Sequence, residues 1–189
     1  MGDNLVNVDA MLEIFKIISA HVWGRIIEIV KAPISQPEMF WILGPLIIAM
    51  LLMSFYFGRY KKEELGWNTA FGNSMILIFT CVDLVRYLYN NGTLFNFDIQ
   101  NALIIVLIFE GFLMTLLNYY HLIPKSLAFG MSSGLTINVT VLFVIVLIYS
   151  KLPLDYITAI ACTLMAVLLV SVINIMQFFE EEAPNDGED

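Results

Sequence analysis

Five long apolar runs joined by connections of only three to ten residues constrain this chain more than any other feature. They cover residues 39–57, 67–88, 99–122, 126–149 and 154–179. About 20 consecutive apolar residues make a helix roughly 30 Å long, the thickness of a bilayer's hydrocarbon core. Lipid offers the backbone no hydrogen-bond partners, so each run has to satisfy its own amides, which predicts helices. The short connections leave no room for a soluble domain. Composition agrees: 59% of the residues are apolar and 14% charged, against roughly 45–50% and 25% in soluble domains. The expected fold class is an all-α integral membrane protein. Five transmembrane helices would occupy 37–179, after an N-terminal amphipathic interfacial helix within 1–36 and before a disordered acidic tail at 180–189. Pro37 and Glu38 suit a helix start, and Pro45 should bend the first span. Pro124 and Pro153 should limit helices at the turns HLIPKS and LPLDY.

The N-terminal segment differs from the five runs. Met11, Phe15, Ile18, Val22, Ile26 and Ile29 recur at helical spacing, while Asp9, Glu13, Lys16, His21, Arg25, Glu28 and Lys31 take the opposite face. That much charge excludes an ordinary span and fits a helix lying in the membrane interface or against a partner subunit. The acidic start MGDNLVNVDA lacks the basic lead of a cleavable signal peptide, and position 6 lacks the Ser or Thr of a myristoylation pattern.

Charge bears on partners and orientation. The chain has 17 acidic and 9 basic residues, and six of the acids fall within residues 180–189. No basic patch suggests a nucleic-acid partner. The expected partners are the lipid bilayer and either further copies of this chain or other membrane subunits. The segment GRYKKEE, with Arg59, Lys61 and Lys62, is the densest cationic loop. The positive-inside rule puts it in the cytoplasm, with the N-terminus outside, the acidic tail inside and the protein in the cell membrane. The sequon Asn91-Gly92-Thr93 would then lie outside, where glycosylation is compatible.

Signatures of chemistry are missing. The sequence contains no HExxH, CxxC, Walker loop, GxGxxG or GxSxG, and only two histidines. Neither a metal, a cofactor nor an enzymatic activity is expected. Cys81 and Cys162 both lie in apolar runs and read as small packing residues.

Polar residues within the spans are the candidate functional groups. Glu110 lies in the middle of IQNALIIVLIFEGFLMTLLNYYHL. A carboxyl at that depth costs on the order of 2–3 kcal/mol even on permissive insertion scales. Asn73, Thr80 and Asn138 fall at or around similar depth. The expected midplane site is therefore Glu110, Asn73, Thr80 and Asn138, with amides and a hydroxyl sheltering the acid. Asp83 and Arg86, three residues apart, should pair as a vestibule near a span end, level with Asp98 and Gln100. Ser126, Gly130 and Gly134 step by four toward Asn138 and predict a close helix–helix seam. The leading functional expectation is a channel- or permease-type subunit. The alternative is a non-conducting accessory subunit of a larger membrane complex, in which Glu110 acts as interhelical glue.

A repeated string adds an organisational reading. Ala-Phe-Gly-x-Ser begins at Ala70 and again at Ala128. Asp98 and Asp155 precede the third and fifth runs at matching distance, and Asn118 and Asn174 lie near the ends of those runs. Segments 67–122 and 126–179 thus read as two copies of one helical hairpin.

Overall fold

The computed structural model describes residues 2–61, 66–96 and 98–181, apart from the side chains of 2–7 and 9. Asp9's side chain, Lys62, Glu63, Glu64 and the tail at 182–189 thus lie outside the described residues. In chain order the helices are α1 (Gly2–Ser35), α2 (Phe40–Arg59), α3 (Trp67–Asn90), α4 (Ile99–Tyr119), α5 (Lys125–Met131), α6 (Gly134–Tyr149) and α7 (Tyr156–Phe179). A single 3₁₀ turn, Pro37–Met39, leads into α2. No strand occurs among the described residues. Five helical stretches are long and apolar enough to cross a membrane: Pro37–Arg59, Trp67–Asn90, Ile99–Tyr119, Lys125–Tyr149 and Tyr156–Phe179. The architecture is compatible with an integral membrane location.

Local chemistry sets the helix ends. Asp98 caps α4 by accepting from the Asn101 amide at 2.9 Å, and Asp155 caps α7 by accepting from the Thr158 amide at 2.8 Å. The bond from Thr158 is the main reason the exposed Asp155 carboxyl titrates below the usual carboxylate range. Helices α3, α4 and α6 close alike, with a left-handed residue at Gly92 (φ 67°), His121 (φ 54°) and Lys151 (φ 51°). In each case the next amide reaches back to a carbonyl of the last turn: Thr93 to Leu88, Leu122 to Leu117 and Leu152 to Leu147.

Helix α6 is the centre of the bundle. It is apolar around its whole circumference, and from Val141 to Tyr149 every residue except Leu142 is buried. Helices α2 and α3 pack on it along their lengths, and α1 and α7 also reach it. Helix α4 packs chiefly on α3, where Gly111 lets the two backbones approach. A β-carbon on Gly111 would meet Leu77 Cβ at 3.2 Å and Ile78 Cγ1 at 3.3 Å. At its far end α2 packs on α7, where Gln177 Nε2 donates to the Ser54 carbonyl at 3.1 Å.

The fourth span is not one continuous helix. It breaks at Ser132 and Ser133, and Ser133 Oγ accepts from the Thr136 amide at 3.1 Å to start α6 afresh. This break interrupts the expected seam within the chain. Ser126 and Gly130 are exposed, and a β-carbon on Gly130 would meet nothing within 4 Å. Gly134 alone of the three is buried, against Asn73 Nδ2. A stripe stepping by four stays on one face only while the helix is continuous, and here it is interrupted.

Helix α1 divides into two halves. Val22, Ile29 and Ala32 form a buried stripe against the bundle, and Arg25 reaches Asp155 at 3.5 Å. Of the described residues between 8 and 21, none is buried.

Candidate functional site

Helix α4 decides the position of Glu110. Its buried face consists of Asn101, Ile104, Leu107, Gly111, Met114 and Asn118. Glu110 immediately precedes Gly111, about 100° around the helix, and is exposed. Among the described residues it makes no hydrogen bond or ion pair. Asn73, Thr80 and Asn138 are buried elsewhere, at the contact between α3 and α6. The expected four-residue midplane site therefore does not assemble. Close packing through Gly111 fixes the rotation of α4 and leaves the acid outside.

Each of the other three residues has its own setting. Asn73 Nδ2 donates to the Ser132 carbonyl at 2.9 Å. That carbonyl is at the helix break, where Thr136 turns its amide to Ser133 Oγ instead. Asn73 thus repairs a backbone group that the break leaves over. Thr80 and Asn138 line a groove of about 400 Å³ between α2, α3 and α6, together with Asp83. Asn138 is 2% exposed and its Oδ1 is buried without a partner. No hydrogen bond is made by the Thr80 hydroxyl among the described residues.

The expected vestibule pair does form. Arg86 donates to Asp83 Oδ1, and Tyr149 Oη donates to Asp83 Oδ2 at 2.7 Å. Tyr87 stacks on Tyr149 with ring centroids 4.0 Å apart and donates to its carbonyl at 3.2 Å. Arg86 remains exposed, in keeping with a long side chain at a span end. Asp98 and Gln100 do not join it: Asp98 caps α4, and Gln100 donates to the Leu152 carbonyl at 3.4 Å. Sequence reading missed Tyr149 because nothing in a single span marks which aromatic ring will face an acid 66 positions away.

It also missed a second polar centre. Asn118 Nδ2 lies 2.8 Å from Ser132 Oγ, 3.2 Å from the Ala70 carbonyl and 3.3 Å from Ser74 Oγ. Ala70, Ser74, Ala128 and Ser132 are all fully buried. The two Ala-Phe-Gly-x-Ser strings thus place their alanines and serines inside, and a single amide bridges their serines. In both copies the glycine, Gly72 or Gly130, faces open space. The repeat was visible in the sequence, but its convergence on Asn118 was not. Asn174, which the repeat reading pairs with Asn118, is exposed.

A further cavity of about 230 Å³ lies between α2, α6 and α7, beside Ser54, Ser133 and Gln177. Its polar side chains are already engaged: Ser54 with the Met50 carbonyl, Ser133 with Thr136, and Gln177 with the Ser54 carbonyl. The chain matches no protein-family model, no curated protein and no solved structure.

Proposed function

We propose that this chain is a non-conducting subunit of a larger membrane assembly, joined through the face of α4 that carries Glu110. The observation that carries the reading is an unpaired carboxyl, exposed on the outside of the bundle midway along a span. Against acyl chains such a group carries that same cost of about 2–3 kcal/mol on insertion scales. A neighbouring span that offers a hydrogen-bond donor or a cation at the same depth removes that cost. This chain has no cation at that depth in its own spans, since Arg86 is engaged by Asp83 near a span end. The complementary group is therefore assigned to a different subunit.

The remaining expectations fit the same picture. The first half of α1, with Met11, Phe15 and Ile18 exposed beside Glu13 and Lys16, suits the bilayer interface. The Arg59–Lys61 end of α2 belongs in the cytoplasm under the positive-inside rule, which puts the start of α2 outside, in the cell membrane.

Mild-detergent purification of the native protein, with identification of co-purifying membrane proteins, tests the assignment. Glu110→Leu should abolish co-purification while Glu110→Gln, which still hydrogen-bonds, retains part of it. An unchanged partner set in the Glu110→Leu protein would overturn the reading, as would a partner whose spans contain no polar side chain.

A further inference from the structure

We infer that the groove between α2, α3 and α6 is a binding site for a membrane-dissolved lipid with a small uncharged hydroxyl head, of the sterol or diacylglycerol kind. The inference is independent of Glu110, which is on another helix and does not line the groove.

Position defines the entrance. Trp41 and Phe79 stand at the rim and are 85% and 65% exposed, so the mouth is on the outer surface of two apolar spans. Those surfaces face hydrocarbon, and a ligand enters sideways from the bilayer. Pro45 lines one wall, and having no amide hydrogen it removes one intrahelical bond from α2. The upper end lies near the membrane face, since Trp41 is in the first turn of α2. The lower end reaches Asn138, eleven residues before the end of α6, or about 16 Å down at 1.5 Å per residue.

Chemistry defines the head group. Asn138 is 2% exposed and Thr80 is 3% exposed, and neither side chain has a hydrogen-bond partner among the described residues. Buried polar groups are rarely left unpaired. A hydroxyl donates one hydrogen bond and accepts others, so it can satisfy an amide and a second hydroxyl together. The head group is uncharged because the one acidic side chain lining the groove is already satisfied: Asp83 accepts from Arg86 and from Tyr149. An anionic head would meet the Asp83 carboxylate, and a cationic head would find its place taken by Arg86. The rest of the lining is apolar, and the volume of about 400 Å³ is in the range of small-molecule sites.

The test uses the full-length protein in phosphatidylcholine nanodiscs. Three photoreactive probes are compared: a diazirine sterol, its 3-methyl ether, and a diazirine phosphatidate. A diazirine diacylglycerol provides a second hydroxyl source. Hydroxyl probes should label α2, α3 and α6 at the groove and be displaced by unlabelled excess. The methyl ether should label weakly. Asn138→Leu should cut labelling about fivefold, the factor one net hydrogen bond is worth. Ala49→Trp, which fills the groove from an exposed lining position, should do the same without disturbing the core if Asn138→Leu fails to fold. Labelling spread evenly over the outer helix faces would overturn the inference. So would equal labelling by the methyl ether, stronger labelling by the phosphatidate, or unchanged labelling in the folded variants.

Discussion

Asn118 shows how a single amide can join elements far apart in sequence. It is 1% exposed and lies within hydrogen-bond distance of α3 and of the α5–α6 break. Interhelical hydrogen bonds in membrane proteins average about 0.6 kcal/mol and reach about 1.7 kcal/mol. Asn118→Leu removes such bonds to three acceptors at once and should lower stability by about 1–2 kcal/mol. Ser74→Ala removes only the longest of the three contacts to Asn118, along with local bonds from the Ser74 hydroxyl to the Ala70 and Phe71 carbonyls, and should cost less. Reversible unfolding in mixed micelles measures both, and an Asn118→Leu protein as stable as the parent would show the amide to be dispensable. Sequence and structure agree at some residues and part at others, for physical reasons. The caps at Asp98 and Asp155 were not read from the sequence, which marked only their matching positions ahead of the third and fifth runs. Asp83–Arg86 was legible because three residues of helix bring them together. The side of the bundle that Glu110 faces was not legible. In a span the lipid-facing and core-facing sides are both apolar, so the rotation of α4 leaves no mark in the pattern.

At the scale of elements, the seam between α3 and α4 depends on Gly111, not on the small residues of the fourth span. Length and hydropathy alone located all five spanning stretches, with ends within a few residues of those observed. The break at Ser132–Ser133 was hidden because Ser126, Gly130 and Gly134 read as a packing stripe on one continuous helix. Distances separate the two glycines. A leucine at position 111 has no room beside Leu77 and Ile78, whereas one at position 130 extends into open space. Overpacking typically costs about 1–3 kcal/mol. Gly111→Leu should therefore lower the thermal midpoint in nanodiscs and loosen the α3–α4 hairpin. Gly130→Leu should leave the midpoint nearly unchanged. The reverse order would return the seam to the fourth span.

Across the whole molecule, α6 supplies the interior, α2 and α3 shelter most of it, and α4 is held through α3. This leaves α1 half outside that arrangement. Its second half docks through Val22, Ile29 and Ala32, and the Arg25–Asp155 contact ties it to the start of α7. Its first half contributes no buried side chain among the described residues 8–21. Stability follows burial, and changes at positions without it usually stay within about 0.5 kcal/mol. Removing residues 1–20 should leave the five-span bundle folded, with its thermal midpoint in nanodiscs essentially unchanged. Ile29→Asp, at a position 3% exposed, places a charge in the packed stripe and should lower the midpoint clearly. If the first half lies in the bilayer interface, a fluorophore attached at Leu12→Cys should be quenched by spin labels at the lipid head groups and much less by labels deep in the acyl chains. A midpoint that falls on truncation as far as it does in Ile29→Asp would mean that the first half also braces the bundle. In that case α1 would be a structural strut along its whole length, and the interface placement would lose its physical basis.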